Sequence, residues 1–124
     1  MEFLEAPAFT RYLTDYLDDD SYKELQAKLG GNPDLGDLMS GTGGFRKMRW
    51  ADKRRGKGRR GGLRVIYYHF KSDHQIWFMT LYDKDEASDL TAIQKKALKT
   101  LIETELEARA TRRAKASHAR RRTH

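Results

Sequence analysis

Three cations stand at strand-like spacing in the middle of this chain. Lys47 and Arg49 are two residues apart, and Arg64 opens a second run rich in β-branched and aromatic residues. On a strand, alternate side chains share a face, so Lys47 and Arg49 project together while Met48 and Trp50 project the other way. In the second run Arg64, Ile66 and Tyr68 share a face. Clustered cations are costly to bury and must meet water or an anion. The chemistry such a cluster suits is the binding of an anion. Tyr82, with Lys84 two residues later, closes a third such run and can stack on a base or polarise a phosphate oxygen. A lone basic residue on a strand more often guards a sheet edge. Three on adjoining strands exceed what that role needs.

The charge distribution points the same way. The chain has 124 residues and a net charge of +7. Residues 1–45 carry nine acidic and three basic residues, and residues 46–64 carry one acidic and ten basic. Residues 65–108 are again acidic on balance, and residues 109–124 hold seven cations and no acid. Two basic blocks on an acidic body form an electrostatic footprint for a polyanion, most often nucleic acid. Arg46, Lys53, Arg54, Arg55, Lys57, Arg59 and Arg60 lie in the first block. Arg46 is on the first strand-like run, and the other six belong to a basic connection with several glycines, suited to gripping phosphates, though without the GxxxxGK[ST] order of a nucleotide-binding loop. The tail 109–124 has no apolar residue larger than alanine and is expected either to extend a helix or to stay disordered.

Other chemistries are disfavoured. There is no cysteine, hence no disulfide framework and no thiolate nucleophile. The four histidines show no metal-binding spacing, and His69 and His74 read as structural residues of a hairpin. Asp18, Asp19 and Asp20 lack the spacing of a calcium loop and read as helix-junction residues. No apolar run approaches the ~18 residues of a membrane span. The segment Met1-Glu2-Phe3 does not begin a secretory signal, so a cytoplasmic protein is expected.

The elements that must position these side chains follow from periodicity. Glu2-Phe3-Leu4 reads as an edge strand. Pro7 suits the first turn of a helix carrying Phe9, Leu13, Tyr16 and Leu17. Ser21 and Glu24 read as the capping box of a second helix with Tyr22, Leu25 and Leu29 on one face, ended by Gly30-Gly31 and Asn32-Pro33. Residues 30–44 read as a loop anchored by Leu35, Leu38 and Met39. Phe45–Trp50, Leu63–Phe70 and Ile76–Tyr82 read as three antiparallel strands. Asp89 or Thr91 caps a final helix with an apolar stripe of Leu90, Ile93, Ala97, Leu101 and Leu106, flanked by Leu98 and Ile102. The expected order is β-α-α-β-β-β-α, an α+β domain over residues 1–107 with a small antiparallel sheet and a basic tail at 108–124.

The stretch Gly41-Thr42-Gly43-Gly44-Phe45-Arg46-Lys47-Met48-Arg49-Trp50, with Gly61-Gly62-Leu63-Arg64-Val65-Ile66-Tyr67-Tyr68, Leu81-Tyr82-Asp83-Lys84 and Asp89-Leu90-Thr91, resembles the RelE/ParE superfamily of bacterial toxins, and within it the HigB-like branch. The resemblance spans about residues 1–107. It implies a ribosome-dependent mRNA endonuclease that cuts A-site codons by metal-independent attack of the ribose 2′-OH on the adjacent phosphate, with no cofactor. By position it assigns Lys47, Arg49, Arg64, Tyr82 and Lys84 to the catalytic set. It implies as partners the ribosome, mRNA and a cognate antitoxin of the helix-turn-helix, HigA type, with operator DNA touched only through that antitoxin and no membrane partner. A ParE-like gyrase poison, a degenerate toxin and a plain nucleic-acid-binding module are the competing expectations.

Overall fold

A computed structural model describes residues 1–51, 62–87 and 89–122. The chain divides into two compact units, residues 1–39 with 44–89, and residues 40–43 with those from 90 onward. It is an α+β protein of three helices and one mixed five-stranded sheet. The elements are β1 (Glu2–Glu5), α1 (Pro7–Tyr16), α2 (Asp19–Gly31), β2 (Asp37–Leu38), β3 (Arg46–Trp50), β4 (Leu63–Phe70), β5 (Gln75–Asp83) and α3 (Ala92–Arg122). Among the described residues no helix is long and apolar enough to cross a membrane.

The first unit is built on the sheet, with strand order β1-β5-β4-β3-β2. β3, β4 and β5 are antiparallel neighbours, as expected of three consecutive strand-forming runs. The element order differs from expectation by one strand. β2, inside the segment expected to be a loop, pairs antiparallel with β3 through Asp37 and Leu38. Nor is the sheet wholly antiparallel, because β1 runs parallel to β5 along its outer edge. No hairpin joins those two strands, so no turn signal sets their direction. Of the three expected loop anchors only Met39 is buried; Leu35 and Leu38 are exposed.

One face of the sheet forms the core with α1 and α2. Phe9, Leu17, Leu25 and Leu29 meet Met48, Leu63, Val65, Tyr67, Ile76, Phe78 and Leu81. Phe78 stacks between Phe3, at 5.8 Å between ring centroids, and Phe9, at 4.6 Å. A bulge keeps this face apolar. Ile66 faces Thr80, yet Tyr67 faces Phe78, leaving Met79 as the extra residue. The bulge places odd-numbered Leu81 and even-numbered Phe78 on the same side. On the opposite face Phe45, Tyr68, Phe70 and Trp77 form a second aromatic group.

The cap of α2 also departs from expectation. Asp18 is the N-cap, its carboxylate accepting from the Ser21 backbone N–H at 2.7 Å. Ser21 sits one turn inside, buried, and its hydroxyl accepts from the Trp50 indole N–H at 3.2 Å. Asp18 therefore satisfies the helix end that Ser21 was expected to cap, which frees Ser21 to tie α2 to β3.

The second unit is the turn at residues 40–43 with α3. A full capping box starts the helix: Thr91 Oγ1 accepts from the Gln94 N–H at 3.1 Å and Gln94 Oε1 from the Thr91 N–H at 2.9 Å. Gly43 has a φ of +78°, and a methyl there would come within 2.8 Å of Ile102 Cγ2. The less exposed face of α3 carries Lys95, Leu98, Ile102, Glu105 and Arg109. That face is offset from the expected apolar stripe, since Ile93 is 82% exposed and Leu101 and Leu106 are also exposed. The helix continues through residue 107 to Arg122, resolving the tail as helix at those positions.

Candidate functional site

Strand register gathers the predicted cations. Arg49 on β3 lies directly opposite Arg64 on β4, and Arg64 lies directly opposite Tyr82 on β5. Directly opposed residues of antiparallel strands share a face, with Cβ atoms about 5 Å apart. Arg49, Arg64 and Tyr82 thus form one row across three strands, and Lys47 stands two residues along β3 on the same side. Lys84 follows in the turn after β5. All five line one cleft of about 680 Å³, with Leu35, Gly36 and Asp37 along one wall and Asp89 at the rim.

Arg64 is the unusual member of the row. It is only 9% exposed, and its one hydrogen bond among the described residues is a long 3.4 Å contact to the Leu63 carbonyl. Among the described residues it forms no ion pair. A buried guanidinium normally has a carboxylate partner, because desolvation of an unpaired charge costs several kcal/mol. A second arginine directly opposite adds like-charge repulsion. Both costs fall when an anion enters the cleft, and the guanidinium fork suits two phosphate oxygens at once.

Asp89 organises the rest of the site. Its Oδ1 accepts from Lys47 Nζ at 2.9 Å and from the Tyr82 hydroxyl at 3.1 Å. The Tyr82 pKa is pushed up to about 12, first by burial and then by the hydrogen bond to Asp89 and that carboxylate's charge, with Arg64 acting the other way. At neutral pH Tyr82 is therefore a proton holder. From sequence, Asp89 was a candidate helix cap; Thr91 takes that role and Asp89 faces the cleft instead. Its contact with Lys47 spans 42 positions of sequence, beyond any local pattern.

The cleft wall is held from behind. Arg46 points away from the cleft and donates to the carbonyls of Asp34, at 3.1 Å, and Gly36, at 2.7 Å. The buried Tyr67 hydroxyl donates to the Pro33 carbonyl at 2.7 Å and accepts from the Gly36 N–H at 2.9 Å. His69 Nδ1 lies 2.9 Å from Asp34 Oδ1, and Lys71 and Arg46 also approach that carboxyl. These contacts, led by the His69 hydrogen bond, hold the Asp34 pKa below its ordinary value. Tyr67→Phe removes the partner of one buried N–H and one carbonyl. We expect it to cost about 1–3 kcal/mol of unfolding free energy, read as a lower urea midpoint with an unchanged slope.

Lys53, Arg54, Arg55, Lys57, Arg59 and Arg60 lie outside the described residues. Among the described residues no three His, Asp or Glu side chains are grouped as metal ligands would be. No known protein-family model matches the chain.

Proposed function

We propose that this protein is an endoribonuclease of the RelE-like, HigB-like kind, the toxin of a toxin-antitoxin pair that cuts mRNA in the ribosomal A site. The observation that carries the proposal is the buried Arg64, without a carboxylate partner among the described residues and set between Arg49 and Tyr82 on the cleft floor. The resemblance of residues 41–50 and 61–68 to that superfamily supports the same reading.

In-line attack of a ribose 2′-OH on its own 3′-phosphate yields a 2′,3′-cyclic phosphate and a free 5′-OH. The phosphorane formed on the way carries extra negative charge, and the leaving 5′-oxygen needs a proton. Arg64 supplies two fixed donors to the phosphorane from a site with little water, where electrostatic contacts are strongest. Arg49 and Lys47 hold flanking phosphates, and Lys84 adds a fourth cation at the mouth. As the 2′-oxygen bonds to phosphorus its proton passes to solvent; as the bond from phosphorus to the 5′-oxygen breaks, Tyr82 gives its proton to that oxygen and is reprotonated from solvent. Asp89 sets the positions of Lys47 and Tyr82 before substrate arrives. The partners under this reading are the ribosome with its mRNA and a helix-turn-helix antitoxin that neutralises the toxin.

Primer extension on an mRNA in a reconstituted translation reaction tests the proposal. The expected result is cleavage at A-site codons when ribosomes are present and none on naked mRNA. Uncut mRNA with translation still running would overturn it in favour of binding without cleavage, or of gyrase poisoning, which a supercoiling assay detects.

A further inference from the structure

We propose that the C-terminal half of α3, residues 109–122, is an RNA-binding arm that grips the phosphates of structured RNA. The choice of RNA rests on the nuclease reading above; the arm itself rests on different residues.

Four observations support it. First, every residue from 110 to 120 is exposed, so these positions are not spent on packing. Second, the segment holds Arg109, Arg112, Arg113, Lys115, Arg120, Arg121 and Arg122, with no acid after Glu107. Glu105 serves both Arg109, at 3.0 Å, and Arg112, at 3.4 Å, so one carboxylate is shared between two of these cations. Third, six of the seven cations are arginine. Solubility alone is better served by acidic residues, whereas the arginine fork matches phosphate oxygens in pairs. Fourth, the helix is maintained against its own repulsion. Cations three and four positions apart destabilise a helix, and a short isolated helix is marginal in water. The alanines at 110, 114, 116 and 119 offset part of that cost, and a polyanion would relieve the remainder.

The chemistry selects among polyanions. A helix that lies in a membrane surface needs Trp, Phe or Leu on its apolar side. A helix that docks in a protein groove needs anchor side chains to fill pockets. Residues 110–122 offer nothing apolar larger than alanine. What remains is backbone recognition. At about 1.5 Å per residue the segment extends about 20 Å. It can therefore lie across the narrow major groove of A-form RNA, with phosphates of both strands in reach.

The test is equilibrium binding of the full chain to a fluorescein-labelled RNA hairpin over a salt series, beside the variant R112Q/R113Q/K115Q/R120Q. Glutamine is a good helix former and these positions are exposed, so the fold should persist, which circular dichroism checks. At about 0.7–0.9 per phosphate contact, losing four cations should lower the slope of log Kd against log salt by about 3. Affinity at 0.1 M salt should fall at least tenfold. An unchanged slope and affinity would overturn the arm. Equal affinity for a DNA hairpin of the same sequence, or binding to phosphatidylserine vesicles in place of RNA, would also overturn it. Primer extension with the same variant separates the two proposals. Cleavage with no arm-dependent binding means that the arm fails alone, and arm-dependent binding by a protein that never cuts means that the nuclease reading fails alone.

Discussion

Replacing Arg64 by alanine is expected to lower ribosome-dependent cleavage about 10³-fold, the scale seen when a preorganised donor to transition-state charge is removed. The more telling variant is Arg64→Met. A buried guanidinium with no carboxylate partner among the described residues contributes desolvation cost without an offsetting ion pair. Methionine fills similar length without that cost. The Arg64→Met protein should therefore melt no lower than the original while losing activity to the same extent as Arg64→Ala. Arg64→Lys keeps the charge but not the fork, so its activity should fall between that of the original protein and that of Arg64→Ala. Thermal melts beside primer extension check all three. A folded Arg64→Ala protein of full activity would remove Arg64 from the mechanism. A methionine variant that melts several degrees lower would make Arg64 a structural residue.

The contrast between Arg64 and its surroundings explains what sequence could reveal. Phe45–Trp50 shows a period of two, and Leu63–Phe70 and Ile76–Tyr82 are rich in β-branched and aromatic residues because both of their faces carry apolar packing, so the three central strands and the shared face of Lys47 and Arg49 were legible. The row Arg49, Arg64, Tyr82 was less so. It depends on register across two connections, and a one-residue slip would reverse every side chain. The bulge at Met79 is such a change, and the run Trp77-Phe78-Met79-Thr80 carries no mark of it. β2 escaped notice because two residues carry no period, and exposed Leu38 resembles a loop anchor. At α2, Asp18-x-x-Ser21 and Ser21-x-x-Glu24 are both good capping patterns. The packing of Ser21 against Trp50 decides between them, and that contact crosses 29 positions. Asp89 was hidden for the same reason, as its partners are set by the fold rather than by neighbours in sequence. The tail lacked apolar residues, which excluded a packed segment but left helix and disorder equally open.

Tyr82→Phe is expected to lower cleavage at least 10²-fold, the usual contribution of a positioned proton donor. The variant deletes one hydroxyl and keeps the half-buried ring, so the sheet should be unaffected. The pKa near 12 gives the prediction a pH signature. A group that must donate a proton stays competent below its pKa, so no Tyr82-linked loss of rate should appear up to pH 9. For stability the sign runs the same way. The folded pKa lies above the ordinary value of 10, so the folded state is favoured fully below pH 10 and loses that advantage as pH rises toward 12. Tyr82→Phe should flatten the decline of melting temperature in that window. Asp89 provides the internal control, because one oxygen receives both Tyr82 and Lys47. Asp89→Asn keeps an acceptor oxygen and should retain more activity than Asp89→Ala. In a double-mutant cycle, Asp89→Ala should cost less in the Tyr82→Phe background than alone, because part of its effect is aiming the hydroxyl that is already gone. The cost that persists measures the share of Asp89 that acts through Lys47. Full multiplicative losses would mean that Asp89 and Tyr82 act independently, and the shared oxygen would then be a feature of the resting cleft alone.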